Sequence, residues 1–199
     1  DDAIVDGSVA YRIVTASAVS ADSDYNSLNA TDIDVTNLDN DSGGVTVLPM
    51  TGLVVSEAGT TAMFSIVLNA APAADVSISL ASNDGSEADV TPAAVTFTPA
   101  NWSVAQIVTV TGIDDPIDDG DVVSSIVTSA TTSSSAQYNG LAVSDVTVTT
   151  TDNDASGIVI MPTSGLITSE ALGTDAFTVV LTSAPTYPVH LSFSSNDSS

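Results

Sequence analysis

The chain has 199 residues, 43% of them apolar, and carries 25 Asp or Glu against one Arg, one His and no Lys, for a formal net charge of −24. With almost nothing to neutralise phosphate, it excludes nucleic acid and an anionic membrane surface as partners, whereas the apolar content and a mean hydropathy of +0.33 exclude a disordered acidic tail and predict a packed core. The absence of Cys rules out a disulfide scaffold and a thiolate metal site, and no apolar run approaches the roughly 18 residues of a membrane-spanning segment.

In chain order, "DDAIVDG" at Asp1 returns as "DDPIDDG" at Asp114, and "LDNDSGG" at Leu38 returns as "TDNDASG" at Thr151. The distance from Asp39 to Asp152 is 113 residues, and that offset aligns the first 86 residues with the last 86 without a gap, at roughly 38 identities. Tyr25/Tyr138, Pro49/Pro162, Glu57/Glu170, Phe64/Phe177 and Asp84/Asp197 are among the matched pairs. The expected organisation is therefore a tandem array: residues 1–41 the last part of one unit, 42–154 a complete unit, and 155–199 the first part of the next. Both ends falling inside units suggests a window on a longer polymer.

Within the complete unit the apolar period is two, β-branched residues dominate, and Gly, Pro, Asn and Asp clusters punctuate the runs. Strands are predicted at 45–56 (kinked at 49–52), 62–68, 75–81, 94–98, 103–111, 121–129 and 142–150, with no helical stripe. Seven short strands in one such unit predict an all-β fold, an antiparallel sandwich of immunoglobulin-like type.

If successive strands alternate in direction, the ends of the first, third, fifth and seventh share one pole, and the acids lie there. Glu57 ends the first strand and Asp84 follows the third; Asp114, Asp115, Asp118 and Asp119 fill the loop after the fifth, and Asp152 and Asp154 follow the seventh. Asp1, Asp2, Asp6, Asp39, Asp41, Glu170 and Asp197 repeat these positions in the flanking units. Turns at the other pole, "AAPAA" and "TPANW", carry no acid. Two carboxylates 4 Å apart repel by about 4 kcal/mol at an effective dielectric near 20, so the cluster calls for a cation or for splayed loops. Oxygen-only ligands on flexible loops suit Ca²⁺ better than Mg²⁺. The alternative is that each acidic pair is a solvated turn former.

The segments "VSEAGTTAMFSIVL", "NDG", "TVTGIDDPIDDGD" and "VTVTTTDND" together resemble the Calx-beta motif of sodium/calcium exchangers, which also recurs in large bacterial surface adhesins. The resemblance covers the middle unit and both partial ones. It implies calcium ligands at Glu57, Asp84, Asp114, Asp115, Asp152 and Asp154, with Asp118 or Asp119 standing for a further acid in the same loop. "DND" also resembles cadherin linkers, although the Pro that usually follows is absent. Since the last strand leads through "DNDASG" into the next unit, an ion there would fix the angle between neighbours.

Other residues take structural readings. Trp102 is expected to plug the core at a turn, Tyr25 and Tyr138 to pack beneath the turn before the last strand, and Arg12 to lie on the surface; His190 falls in the strand matching 75–81 and lacks partners for catalysis. The chain shows no nucleophile motif, so an enzyme is not expected. Two functions remain open: a calcium-stiffened repeat in the stalk of a secreted, cell-surface bacterial adhesin, whose partners are neighbouring repeats of the same chain, or a fibre or surface-layer subunit that associates with copies of itself through strand edges unprotected by Lys.

Overall fold

The computed structural model describes residues 3–5 and 7–196, none of them helical. In chain order the strands are β1 (Ile4–Val5), β2 (Val9–Ile13), β3 (Ile33–Asn37), β4 (Val45–Leu48), β5 (Leu53–Ser56), β6 (Thr61–Leu68), β7 (Ala71–Pro72) and β8 (Val76–Ser82). They continue as β9 (Ala88–Thr91), β10 (Ala94–Phe97), β11 (Gln106–Gly112), β12 (Val122–Thr128), β13 (Thr132–Ser133), β14 (Val146–Thr151), β15 (Ile158–Met161) and β16 (Thr178–Leu181).

The middle unit is a two-sheet sandwich of immunoglobulin-like type. One sheet has the order β4-β6-β11-β9; the other runs β10-β8-β12-β14-β5, with β13 beside β8. Alternation in the sequence becomes alternation of burial: β14 and β8 turn every second residue inward, and Phe64, Ile66, Val108 and Val110 from one sheet meet Ile78, Phe97, Ile126 and Val146 from the other. Each such side chain contributes about 1.5–3 kcal/mol when fully buried. Trp102 packs against this core half-buried at its turn. Tyr138 is fully buried; its hydroxyl donates to Ala70 O (2.7 Å) and accepts from Ala70 N–H (3.2 Å), so that it holds the turn after β6.

Several boundaries differ from the sequence reading. The predicted strand 45–56 is two strands in opposite sheets, β4 and β5, because the chain crosses the sandwich edge at Pro49–Gly52, where Gly52 takes φ +80°. After that crossing β5 runs parallel to β14, so the sandwich is not wholly antiparallel. The strand predicted at 142–150 begins only at Val146, since Asp145 turns its carboxylate to the Thr128 N–H (2.8 Å). β9 lies where a loop was expected: Ala88 and Val90 point into the core and Asp89 and Thr91 point out. Tyr25, unlike Tyr138, is 63% exposed, and His190 is exposed outside any strand. Arg12 is on the surface as expected, where it pairs with Asp34 at 2.6 Å; such exposed pairs contribute about 0–1 kcal/mol.

The pairings recur at the offset seen in the sequence. β2 and β3 pair Val9 with Asn37, as β12 and β14 pair Val122 with Thr150, and β15 and β16 pair Ile158 with Leu181, as β4 and β6 pair Val45 with Leu68. Asp32 caps the Thr15 N–H as Asp145 caps that of Thr128. The left-handed positions coincide too: Gly140 (φ +78°) matches Ser27 (φ 70°), and Gly59 (φ +77°) matches Leu172 (φ 67°).

Candidate metal centre

Register at one end of the sandwich places the acids. Parallel pairing sets Thr151 opposite Ser56, so the next residues, Asp152 and Glu57, leave the sheet side by side, with Glu57 N–H donating to Thr151 O (3.2 Å). In the other sheet Gly112 pairs with Ala88, and Ile113 N–H donates to Glu87 O (2.9 Å). Glu87 therefore enters β9 at the point where β11 passes into the acid loop 113–121. Gly112 lets the two sheet ends approach, because a Cβ there would lie 2.1 Å from Ser56 O.

Two groups of carboxylates result, Glu57 with Asp152 and Asp154, and Glu57 with Glu87 and Asp119; within each, one oxygen per residue lies within 4.8 Å of the others. Glu57 belongs to both. Glu57 and Glu87 are 3% and 4% exposed. The backbone fixes the remainder: Asn153 N–H donates to Glu57 Oε2 (3.1 Å), Gly120 N–H to Asp152 Oδ2 (2.7 Å), and Asp154 N–H to Asp152 Oδ1 (2.7 Å).

Of the acids picked out in the sequence, Glu57, Asp119, Asp152 and Asp154 come together. The other four in the unit spend an oxygen nearby. Asp84 accepts from the Ser86 N–H and hydroxyl, Asp114 from Asn153 Nδ2, Asp115 from the Ile117 N–H, and Asp118 from the Ser156 N–H. Asp39 repeats the Asp152 cradle by accepting from Gly7 N–H (2.7 Å) and Asp41 N–H (2.8 Å). Among the described residues, no group of three includes Asp39, Asp41 or the exposed Glu170. Asp1, Asp2, Asp6 and Asp197 lie outside the described residues. Glu87 is the member of these carboxylate groups that the sequence reading missed. Its signal was rarity, as one of only three Glu in the chain, together with the in-out alternation of Ala88 to Thr91 that follows it.

The donor set is all oxygen and anionic, which fits a hard divalent ion, and carboxylates gathered from several loops and strand ends suit Ca²⁺ better than the tight octahedron of Mg²⁺. Unneutralised, the charges oppose one another. The Asn153 N–H pulls Glu57 toward the ionised form, but burial and the carboxylates of Asp152, Asp115 and Asp119 outweigh it and hold the pKa above the ordinary 4.5. Burial, then Asp119, Asp84, Glu57 and Asp115, raise Glu87; burial, then Asp152, Asp114, Asp115 and Asp118, raise Asp154 above 3.8.

A raised carboxyl pKa means that the folded state holds protons the unfolded state has released, so stability falls as pH climbs through the ordinary values toward the folded ones and levels off above them. Thermal unfolding in calcium-free buffer is expected to show a midpoint that falls as pH rises above about 4.5. Millimolar calcium, which competes with protons for the same oxygens, should reverse the slope. A midpoint that rises with pH in calcium-free buffer would refute the repulsive cluster.

No family model and no curated protein matches this chain. Among solved structures, the apo form of the Calx CBD1 domain is similar at 19% identity and TM-score 0.42, over 55% of this chain and 96% of that one. CBD12 from CALX1.2 is similar at 18% identity and TM-score 0.43, over 63% of this chain and 51% of that one. WR4, a C. elegans MSP family member, is similar at 13% identity and TM-score 0.38, over 54% of this chain and 96% of that one.

Proposed function

We propose that the chain is a calcium-binding structural repeat, a stiffening module in the stalk of a long extracellular bacterial adhesin. The observation that carries this reading is the sharing of buried Glu57 between two carboxylate groups at the end of the sandwich from which the chain leaves for the next unit. Asp152 and Asp154 stand within that linker, so an ion they hold ties the linker to β5 through Glu57 and, through Glu87 and Asp119, to the opposite sheet. Asn153 and Ser156, which donate to Glu57 and Asp118, place the linker backbone beside the same loop. Loaded, the joint is stiffened; empty, it keeps the Asn153 and Ser156 hydrogen bonds but works against repulsion among Glu57, Asp119, Asp152 and Asp154.

Isothermal titration of the 199-residue chain with calcium is expected to show saturable binding at about 10⁻⁴ to 10⁻³ M, the range of extracellular modules. Magnesium should bind far more weakly, and Glu87→Gln should weaken calcium by about tenfold or more. Absence of binding heat at several millimolar calcium, with no change in unfolding midpoint, would sink the proposal.

A second reading, a self-associating fibre, draws on the outer face of the larger sheet. There Val54, Thr149 and Val123 form a row across β5, β14 and β12, with the two valines 58% and 66% exposed. Such a row, with no Lys to oppose pairing, suits contact with a second copy.

A further inference from the structure

Consecutive units touch at a place other than the linker. Ala71 N–H donates to Ala3 O at 2.6 Å, where β1 and β7 pair in parallel, Ile4 with Ala71 and Val5 with Pro72. At the other junction Ala184 N–H donates to Pro116 O, also at 2.6 Å. Ala3 and Pro116 are equivalent in the 113-residue register, as are Ala71 and Ala184. Both junctions thus show one contact, in which the tip of the acid loop of one unit lies against the turn after the second strand of the next.

The contact has an apolar foot. Val5 is 1% exposed and belongs to the core cluster of the middle unit, together with Ala70, Val76 and Tyr138, whose hydroxyl holds both polar groups of Ala70. At the second junction Ile117 shares a cavity with Ile158, Leu181, Pro185 and Val189. The residue equivalent to Val5 is there Asp118, which turns instead to the Ser156 N–H (2.6 Å).

We infer that residues 3–5 and 116–118 are straps by which each unit grips the next, a tie between consecutive units that needs no cation; it rests on the tandem reading above and not on calcium. The apolar anchor differs between the junctions: at the first Val5 inserts into the neighbouring core while Ile4 stays 41% exposed, and at the second Ile117 lines the apolar cavity while Asp118 latches the linker. The partner surface is the 70–72 turn and its equivalent at 183–185. The acid loop therefore has two separable jobs: Asp119 faces the carboxylate cluster, and Pro116 to Asp118 serve the neighbour.

Amide hydrogen exchange on the full chain in calcium-free buffer tests this. The Ala71 and Ala184 N–H groups are expected to exchange at least about tenfold more slowly than exposed loop amides. Val5→Ala should speed Ala71 by about tenfold while leaving Ala184 and the core amides of Phe64 and Val108 unchanged, and Ile117→Asp should do the reverse. Exchange of both amides at coil rates, protection that appears only with calcium, or a Val5→Ala effect as large at Phe64 as at Ala71 would each overturn the strap. A chain that binds no calcium yet protects both amides refutes the cation reading alone; calcium binding with both amides free refutes the strap alone.

Discussion

Glu57→Gln is expected to make the calcium-free protein more stable and the calcium-loaded protein less stable than the parent. The amide keeps an oxygen for the Asn153 N–H, now 3.1 Å from Oε2, and removes the charge common to both carboxylate groups. Without calcium the gain is relief of repulsion from Asp152, Asp115 and Asp119 and of the desolvation of a buried charge. It should appear as an unfolding midpoint higher by about 4 °C or more, since ~1 kcal/mol shifts a unit of this size by that amount. With calcium the parent gains ~2.7 kcal/mol when the ion stands at about 100 times its dissociation constant, and the variant, lacking the shared ligand, forfeits most of that gain. Differential scanning calorimetry with and without calcium reads both effects, and the two midpoints should exchange order. A variant less stable than the parent in both conditions would show that Glu57 holds the fold rather than an ion.

Gly112→Ala is expected to be the most damaging single methyl group in the middle unit. Its Cβ would lie 2.1 Å from Ser56 O and 2.7 Å from Ser56 C, and backbone cannot yield as a side-chain tip can. Overpacking of this kind costs about 1–3 kcal/mol and occasionally more, a large part of the ~5–15 kcal/mol that holds a domain together. Relief requires β5 to move away from β11, and Glu57 follows Ser56 directly, so the same substitution should draw Glu57 away from Glu87 and Asp119 and weaken calcium along with the fold. Gly85→Ala is the control, because nothing lies within 4 Å of a Cβ there. Chemical denaturation and calcium titration of both variants check the pairing of effects; an unchanged midpoint for Gly112→Ala would contradict the close approach.

The sheets were legible because period-two alternation is the direct signature of a strand with one buried face, and β8 and β14 carry it over six residues or more. β9 was not, since four residues containing a single Val and ending before Pro92 give too short a run to stand out from a turn. That omission propagated to the site. Without β9, the acid after the third strand had to be Asp84, whose Asn-Asp-Gly spelling marks it equally as a turn former, and Asp84 spends its carboxylate on Ser86. With β9 in place, the residue at the sandwich end is Glu87. Glu57, Asp152 and Asp154 were legible from strand ends alone, but their meeting depends on β5 crossing sheets to lie parallel to β14, and a kink at Pro49 and Gly52 does not announce which sheet the chain joins next.

The parallel register of β5 and β14 also decides how a pulled chain would yield. Once tension on the leading segment has passed β4 and reached β5, it acts along β5 and, from the trailing segment, along β14 in opposite senses. The bonds joining Leu53–Ser56 to Val148–Thr151 are then loaded together in shear instead of being unzipped singly. The parallel pair β5 and β14 forms a mechanical clamp, and the Glu57–Asp152 pair sits at its mouth.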